Sequence, residues 1–227
     1  MPEHWLMKAE PLTRIVKGVD VAFSVDRFEK LKRSSWEGVR NYQARNFLRD
    51  QMKKGQHVLF YHSSCKLPGI YVLLSDTWIQ REGYPDHTAW DPKHPYYDAK
   101  SDPENPRWFM VDVEFVRRLP HMVPLALLQH LASSDVTESQ RKDVHYLDDK
   151  HIESLRGMAL LNRSRLSVQK LLIRKPVDAI AYEAICLLGE RGGFEQWPGK
   201  WNSPSPSISD EGAQVVKSPR EQKRRRK

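Results

Sequence analysis

Cysteine is scarce in this sequence, because Cys65 and Cys186 are the only two among 227 residues. The two thiols could pair, but their number is more typical of a reducing compartment than of a disulfide-stabilised secreted domain. No stretch is long and apolar enough to span a bilayer, and the N-terminus lacks a secretory signal pattern. We therefore expect a protein of a reducing compartment with no membrane partner.

The spacing of metal ligands is lacking as well. The histidines at positions 57, 62, 87 and 94 show neither the helical nor the loop spacing of zinc ligands. Cys65 has no second cysteine in a CxxC pattern. The sequence therefore predicts no metal site and no cofactor.

Positive charge is concentrated at the C-terminus. The net charge is +8, and residues 217–227 contribute +6 of it through seven basic residues and one acidic residue. The rest of the chain, at about +2, should not bind phosphate backbones strongly by charge alone. We interpret residues 196–227, rich in Ser, Pro and charge, as a disordered tail. Its basic cluster is typical of a nuclear import signal, which predicts a nuclear protein; the cluster consists of Lys223, Arg224, Arg225, Arg226 and Lys227.

Hydrophobic periodicity predicts strands and helices in irregular order, and therefore an α+β domain. Ser24 is placed to cap a helix in which Phe28 and Leu31 would be buried. The clearest helix begins at Asn41 and is followed by Gly55 as a stop signal. Strands are predicted at His4–Pro11, His57–Ser64, Arg107–Pro120 and Arg165–Gln169, and helices at Val25–Arg33, Asn41–Gly55, Leu125–Ala132, Lys150–Leu161 and Val177–Glu190.

Residues 89–108, AWDPKHPYYDAKSDPENPRW, combine prolines with aromatic rings. Proline lacks the amide hydrogen that a sheet needs, so this stretch is predicted to be a loop. Disordered linkers contain few aromatic residues, so the rings in this stretch favour an ordered loop. The aspartates around it (Asp86, Asp91, Asp98 and Asp102) are interpreted as turn formers rather than as paired catalytic carboxylates.

Several blocks of the chain occur together in one order: HWLMKAEP, WEGVRNYQARNFLRDQMKKG, VLFYHSS, GYPDHTAWDPKHPYYDAKSDPENPRWFMVDVEF and LNRSRLSVQ. In these blocks the chain resembles the EVE domain family. The resemblance implies a PUA-like fold, a small β-barrel of about five to six strands flanked by helices. It also implies one domain, predicted at residues 3–195, that binds a modified nucleobase in DNA or RNA.

The resemblance further implies a base pocket built from residues at strand ends and at the start of the Asn41 helix. The function implied is that of a non-enzymatic reader of a modified base, such as methylated or hydroxymethylated cytosine. We expect the protein to be a monomer. The predicted nucleic-acid-binding residues are Lys8, Glu10, Trp36, Arg40, Asn41, Tyr42, Tyr61, His62, Ser63, Asn105, Pro106 and Trp108.

These residue types suit an extruded base, which needs flat surfaces for its faces and hydrogen-bond partners at its edge. Stacking on an aromatic ring contributes roughly 1–3 kcal/mol for any base. A buried methyl group adds only about 0.8 kcal/mol, close to a fourfold preference. We therefore expect polar groups such as Asn41 and Ser63 to choose the base. Structural roles stay open for the same residues: the rings as core residues, Asn41 as a helix cap and Arg40 as a partner of loop carbonyls.

Two other functions stay open. One is an enzyme that acts on nucleotides or modified nucleic acid with His62 as general base, although neighbours on a strand point to opposite faces, which places His62 and Ser63 poorly as a dyad. The other is a nuclear scaffold whose aromatic surface binds a peptide.

Two segments depart from the family pattern, Tyr71–Glu82 and Lys170–Lys175. They are either genuine insertions or errors of the gene model. Our hypothesis is that both lack stable native contacts.

Overall fold

The computed structural model describes residues 3–63, 72–162, 165–171 and 178–199. Its strands are β1 Trp5–Ala9, β2 Ile15–Val16, β3 Val19–Asp20, β4 Arg33–Ser35, β5 His57–His62, β6 Val72–Pro85, β7 Phe109–Pro124 and β8 Val168–Lys170. Its helices are α1 Val25–Leu31, α2 Tyr42–Asn46, α3 Leu125–Ala132, α4 Glu138–Asp143, α5 Asp149–Arg156, α6 Ala159–Asn162 and α7 Asp178–Arg191. A π-helical turn, Phe47–Gln51, continues α2, and a 3-10 turn lies at His87–Ala89.

A six-stranded sheet in the order β4-β7-β6-β5-β1-β8 forms the centre of the molecule, and β2 and β3 form a separate hairpin. β1 runs parallel to β5, while the other neighbouring strands are antiparallel. The β6–β7 ladder shifts register at four places. Such bulges bend and twist a sheet, as a small barrel requires. The mixed sheet and its helices confirm the predicted α+β class.

Both faces of the sheet are buried, which explains why β1 and β5 are apolar at nearly every position. Trp5 and Met7 point into one core together with Phe60, while Leu6 and Leu59 point into the other. The first core is covered by α1 and α2, and the second by the helices that follow β7. Because side chains alternate along a strand, β1 and β5 each supply both cores.

Most predicted elements are present, and the differences have local causes. The α1 helix is capped by Ser24, whose hydroxyl accepts from the Arg27 N–H at 3.2 Å. Phe28 is buried as predicted, but the prediction for Leu31 was wrong, since its side chain is 52% exposed in the last turn. The predicted helix at 150–161 is divided into α5 and α6 around Gly157.

The hypothesis that Tyr71–Glu82 lacks stable native contacts was wrong for the part that the structure describes. Residues 72–82 belong to β6, which pairs with β5 on one side and with β7 on the other. In the second segment, Lys170–Lys175, Lys170 of β8 pairs with Trp5 of β1. Leu171 is buried and donates its N–H to the His4 carbonyl. Residues 172–175 lie outside the described residues.

Gly83 allows the π-helical turn to pack directly on β6. A Cβ atom at Gly83 would lie 2.2 Å from the Leu48 carbonyl oxygen and 2.8 Å from the Arg49 Cα. Both are backbone atoms that cannot rotate away, so glycine is required here. This contact fixes the position of α2, which carries Asn41 at its N-cap and Tyr42 in its first turn.

Candidate nucleic-acid interface

The loop of residues 86–108 is ordered by a repeated turn. Four aspartate side chains each accept a hydrogen bond from the backbone N–H two residues ahead, at 2.9–3.0 Å. The aspartates are Asp86, Asp91, Asp98 and Asp102. These contacts replace the sheet bonds that proline prevents, and they confirm the prediction of turn-forming aspartates in an ordered loop.

Asp86 is the fully buried centre of this region. Its carboxylate accepts from the Gly38 N–H at 2.9 Å, from Arg40 Nη1 at 2.7 Å and from the Thr88 hydroxyl at 2.6 Å. Burial would raise the pKa of Asp86, but hydrogen bonds from Arg40, Thr88 and Gly38 outweigh it and lower the pKa. The site therefore contains an ionised carboxylate whose hydrogen bonds tie the segment before α2 to the loop after β6.

Arg40 joins this carboxylate to an aromatic stack. Its Nε donates to the Tyr96 carbonyl at 2.8 Å, and its guanidinium lies 5.6 Å from the Trp108 ring centre. Trp108 is buried and donates Nε1–H to Asp98 at 2.7 Å. Arg40 thus bonds a loop carbonyl, which is one of the roles left open from the sequence.

Tyr42 is the exposed member of the stack. Its ring packs on Trp108 with 5.0 Å between centroids and 27° between planes, yet the residue is 56% exposed. The Arg45 guanidinium lies 5.2 Å from the Tyr42 ring centre, and Arg45 also donates to the Arg107 carbonyl at 2.8 Å. The exposed part of this ring, next to an indole and a cation, is a surface that a base can contact.

Asn41 caps α2, as the sequence left open: its side-chain oxygen accepts from the Ala44 N–H at 3.0 Å. That oxygen is therefore engaged in holding the start of the helix. Asn105 is exposed and donates its backbone N–H to the Asp102 carbonyl at 3.2 Å, and Pro106 is half-buried. These two residues lead the loop into β7 through Trp108.

A second group of predicted residues lies where β1 and β5 end. Lys8 is paired in register with Tyr61, and its Nζ lies 5.5 Å from the centre of that buried ring. Burial lowers the pKa of Lys8 to about 8, so its ammonium loses its proton more easily than an exposed one. Ser63 donates its N–H to the Ala9 carbonyl at 2.8 Å, and Glu10 pairs with Arg14 at 2.9 Å.

His62 is buried and serves as a hydrogen-bond acceptor inside the fold. Its Nε2 accepts from the Val25 N–H at 3.0 Å, at the start of α1. Burial lowers the pKa of His62 to about 4, so the ring is neutral near pH 7. Because this lone pair already accepts a bond, the ring is poorly placed to serve as a general base.

Tyr96 lies between the two groups. Its carbonyl accepts from Arg40. Burial raises the pKa of its phenol, while the Arg14 charge lowers it and the Glu10 charge raises it. Gly38, with φ +77°, would bring a Cβ to 2.4 Å from the Tyr96 ring, so glycine allows this ring to pack. Trp36 is 91% buried and packs edge-on against Phe60 and Phe23. It therefore belongs to the core beside these two groups.

The structure thus places the predicted residues in two groups, one around Tyr42 and Trp108 and one around Lys8 and Ser63. Sequence reasoning missed the organising role of Asp86 and the position of Tyr96. Asp86 bonds residues 46 and 48 positions away, which no local pattern reveals. The basic cluster at 223–227 lies outside the described residues.

Among the described residues, no three His, Cys, Asp or Glu side chains are grouped so that they could hold a metal ion. Within the same part of the chain, no helix is long and apolar enough to cross a membrane. Cys186 is a buried free thiol, and burial raises its pKa to about 11. Cys65 lies outside the described residues.

Comparison with known proteins finds relatives with similar sequences. Thymocyte nuclear protein 1 from Gallus gallus is 46% identical over 170 residues, which cover 74% of this chain and 63% of the relative. The Homo sapiens protein of the same name is 44% identical over 173 residues, covering 75% of this chain and 69% of the relative. The chain thus matches about two thirds of the length of these relatives.

Solved structures match over more of the fold. The crystal structure of human THYN1 protein in complex with DNA containing 5-methylcytosine is 40% identical, with a TM-score of 0.66, and the match covers 83% of this chain and 98% of that one. A protein from Leishmania major is 35% identical with a TM-score of 0.61, covering 83% and 95%. The family model described as EVE domain matches residues 3–175. The chain therefore belongs to the EVE domain family.

Proposed function

We propose that this protein is a non-enzymatic reader of a modified base in DNA, with 5-methylcytosine as the first candidate. The observation that carries the proposal is the similarity over nearly the whole fold to human THYN1 protein, whose structure contains DNA with 5-methylcytosine. At 40% identity and 98% coverage of that chain, the similarity extends over nearly all of that structure, which supports the proposal. We also propose that the predicted pocket residues form the binding site for this base.

The two residue groups supply what an extruded base requires. Tyr42 offers an exposed ring supported from behind by Trp108, and Arg45 beside it offers a cation for a phosphate. Lys8 and Ser63, at the ends of their strands, offer polar groups for the base edge or the backbone. Trp36 and Trp108 support the fold around the site, because both are buried.

Affinity should be modest and methyl preference small. The chain outside residues 217–227 has a net charge of about +2, so counterion release contributes little. One methyl group in an apolar contact gives about a fourfold preference. Stronger preference would require a polar group that the wrong base leaves unpaired.

The proposal is tested by titrating the full chain with duplexes that differ at one position. One central cytosine is plain, methylated or hydroxymethylated, and parallel duplexes carry methylated adenine; fluorescence anisotropy reports binding at fixed salt. We expect tighter binding to one modified cytosine than to cytosine, and unchanged DNA after incubation. Equal affinity for all duplexes would overturn the reader, and a chemically altered base would establish an enzyme.

Tyr42→Ala gives the sharpest test of the stacking surface. Loss of one stacking ring should weaken binding to the modified duplex by roughly 5- to 150-fold, corresponding to about 1–3 kcal/mol. Trp78→Ala is the matched control, since this ring is 38% exposed but lies beside His57, in another cluster. Equal losses in the two variants, or none in Tyr42→Ala, would contradict the assignment.

We also propose that the protein acts in the nucleus and that residues 223–227 direct its import. A fluorescent fusion of the full chain should be nuclear, and replacing the five basic residues with glutamine should distribute it through the cell. An unchanged nuclear signal in that variant would contradict the role of the cluster.

A further inference from the structure

The β2–β3 hairpin has an unusual surface for an element that supports no core. Its strands, Ile15–Val16 and Val19–Asp20, are joined by Lys17 and Gly18 with φ of 48° and 83°. Two consecutive positive φ angles are the signature of a tight type I′ turn. A Cβ atom added to Gly18 would find nothing within 4 Å, so the turn projects away from the body.

Apolar side chains are exposed on both faces of this hairpin. Ile15 is 61% exposed and Val19 is 46% exposed. Ile15 pairs with Asp20 while Val16 pairs with Val19, so Ile15 and Val19 lie on opposite faces. A hairpin that merely covered the domain would bury one face. This one leaves a β-branched side chain open on each side.

The base of the hairpin is held firmly. Asp20 Oδ1 accepts from the backbone N–H groups of Arg14 and Ala22, each at 3.0 Å. Below it, the Phe23 N–H donates to the Glu10 carbonyl at 2.8 Å. The projection is therefore prebuilt, and inserting it into a partner would require little ordering.

The hairpin also lies next to the end of β1 and to the loop of residues 86–108. It begins after Glu10, at the end of β1, and the Lys17 Nζ lies 5.3 Å from the centre of the Tyr97 ring in the loop of residues 86–108. Lys17 brings positive charge to the turn of an element that would approach phosphates, while Arg14 at its base is paired with Glu10 at 2.9 Å. This position and charge favour a nucleic acid as the occupant over a second protein.

We propose that the β2–β3 hairpin is a wedge that enters the duplex and fills the space left by the extruded base, with Ile15 and Val19 against the neighbouring bases. This rests on the proposed function. Proteins that unstack DNA insert apolar side chains between base steps, and extrusion of a base has to be compensated by new contacts. The wedge should matter only when the target base is paired and stacked.

The test compares a paired target with one that needs no extrusion. The full chain carries Ile15→Thr and Val19→Thr, which keep β-branched side chains and hence the hairpin. The probes are a fully paired duplex with 5-methylcytosine and a single strand of the same sequence. We expect about tenfold weaker binding to the duplex and unchanged binding to the single strand.

Each other outcome has a distinct meaning. Equal loss on both probes, or no loss on either, would overturn the wedge while leaving the reader intact. If the wild-type chain binds methylated and plain single strands equally, and likewise the two duplexes, the proposed function fails and the wedge fails with it. Met122→Thr, at a strand residue 50% exposed, is the matched control and should bind like wild type. Equal melting temperatures show that the hairpin variant is folded.

Discussion

Two buried aspartates, Asp86 and Asp76, organise two polar clusters that serve different purposes. Asp86 accepts from a backbone N–H, a guanidinium and a hydroxyl. Asp76 accepts from the Tyr182 hydroxyl at 2.6 Å and contacts His57 Nδ1 at 3.1 Å. Both carboxylates are nearly inaccessible, at 0% and 5% exposure. The two clusters differ in the residues that contact each carboxylate.

The Asp76 cluster fastens a helix to the sheet. Tyr182 lies on α7 and His57 and Asp76 lie on β5 and β6, so the contact joins these elements. The His4 ring stacks on Tyr182 with 4.4 Å between centroids. Burial raises the pKa of Tyr182, with Cys186 and Asp76 adding to the effect, so the hydroxyl keeps its proton as a donor.

The Asp86 cluster instead orders a loop beneath exposed groups. Arg40 reaches from Asp86 to Trp108, which supports the exposed ring of Tyr42. Similar buried chemistry thus stabilises the fold in one place and presents a surface in the other. What distinguishes a candidate site here is the exposed ring above the cluster, since buried charge alone occurs in both.

Among the variants that distinguish the two clusters, Asp86→Asn should have the largest effect on stability and on DNA binding. An amide NH₂ would face a donor, and Arg40 would lose its ionic partner, so we expect about 3 kcal/mol less stability and weaker DNA binding. Urea denaturation and anisotropy titration measure the two effects. Asp91→Asn in the same loop keeps its turn and should cost little. A stable Asp86→Asn that binds normally would contradict the organising role.

The buried His62 should make the stability of the fold depend on pH. Its folded pKa of about 4 lies below the ordinary value of 6.5, so the unfolded chain takes up a proton that the folded chain excludes. This contribution is complete above pH 6.5 and is lost as pH falls from 6.5 towards 4, by up to about 3 kcal/mol. The Asp86 carboxylate, whose pKa is lowered, stays ionised over most of this range.

The measurement is urea denaturation from pH 7.5 to 4.5 for wild type, His62→Gln and the exposed control His87→Gln. We expect the His62 variant to lose stability less steeply with falling pH. If its slope equals that of wild type, burial of a neutral His62 does not set the acid sensitivity.

Tyr182→Phe should give the smallest effect and the clearest contrast. It removes the hydroxyl that donates to Asp76, at a cost of about 1–2 kcal/mol in unfolding free energy. The ratio of affinities for modified and plain duplexes should stay unchanged. A changed ratio would mean that the Asp76 cluster also takes part in recognition.

Sequence periodicity predicted the elements that bury a regular apolar pattern. The strand at β7 and the helices α3 and α7 were predicted from such patterns and are present. The polar helix α4 was missed, because it depends on a capping box between Thr137 and Gln140 rather than on an apolar stripe. The error at residues 72–82 arose from comparing loop lengths with the family, while the strand itself is fixed by pairing with β5 and β7.

The candidate site was predictable only in part. The helix-capping role of Asn41 and the turn-forming aspartates follow from local preferences, and both are present. The exposure of Tyr42 and the burial of Trp36 depend on tertiary packing, which periodicity does not reveal. The domain limits at 3–195 and 196–227, the monomeric state and the binding role of each predicted pocket residue stay predictions.

The most direct test of the central claim observes the modified base itself. A duplex with one ¹³C-labelled 5-methyl group on cytosine is titrated with the full chain and followed by NMR. If the base is held against the chain's rings, the methyl resonance should move upfield and show NOEs to aromatic protons, and Tyr42→Ala should reduce both. Saturating binding with the methyl resonance at its free-duplex position would contradict recognition of an extruded base.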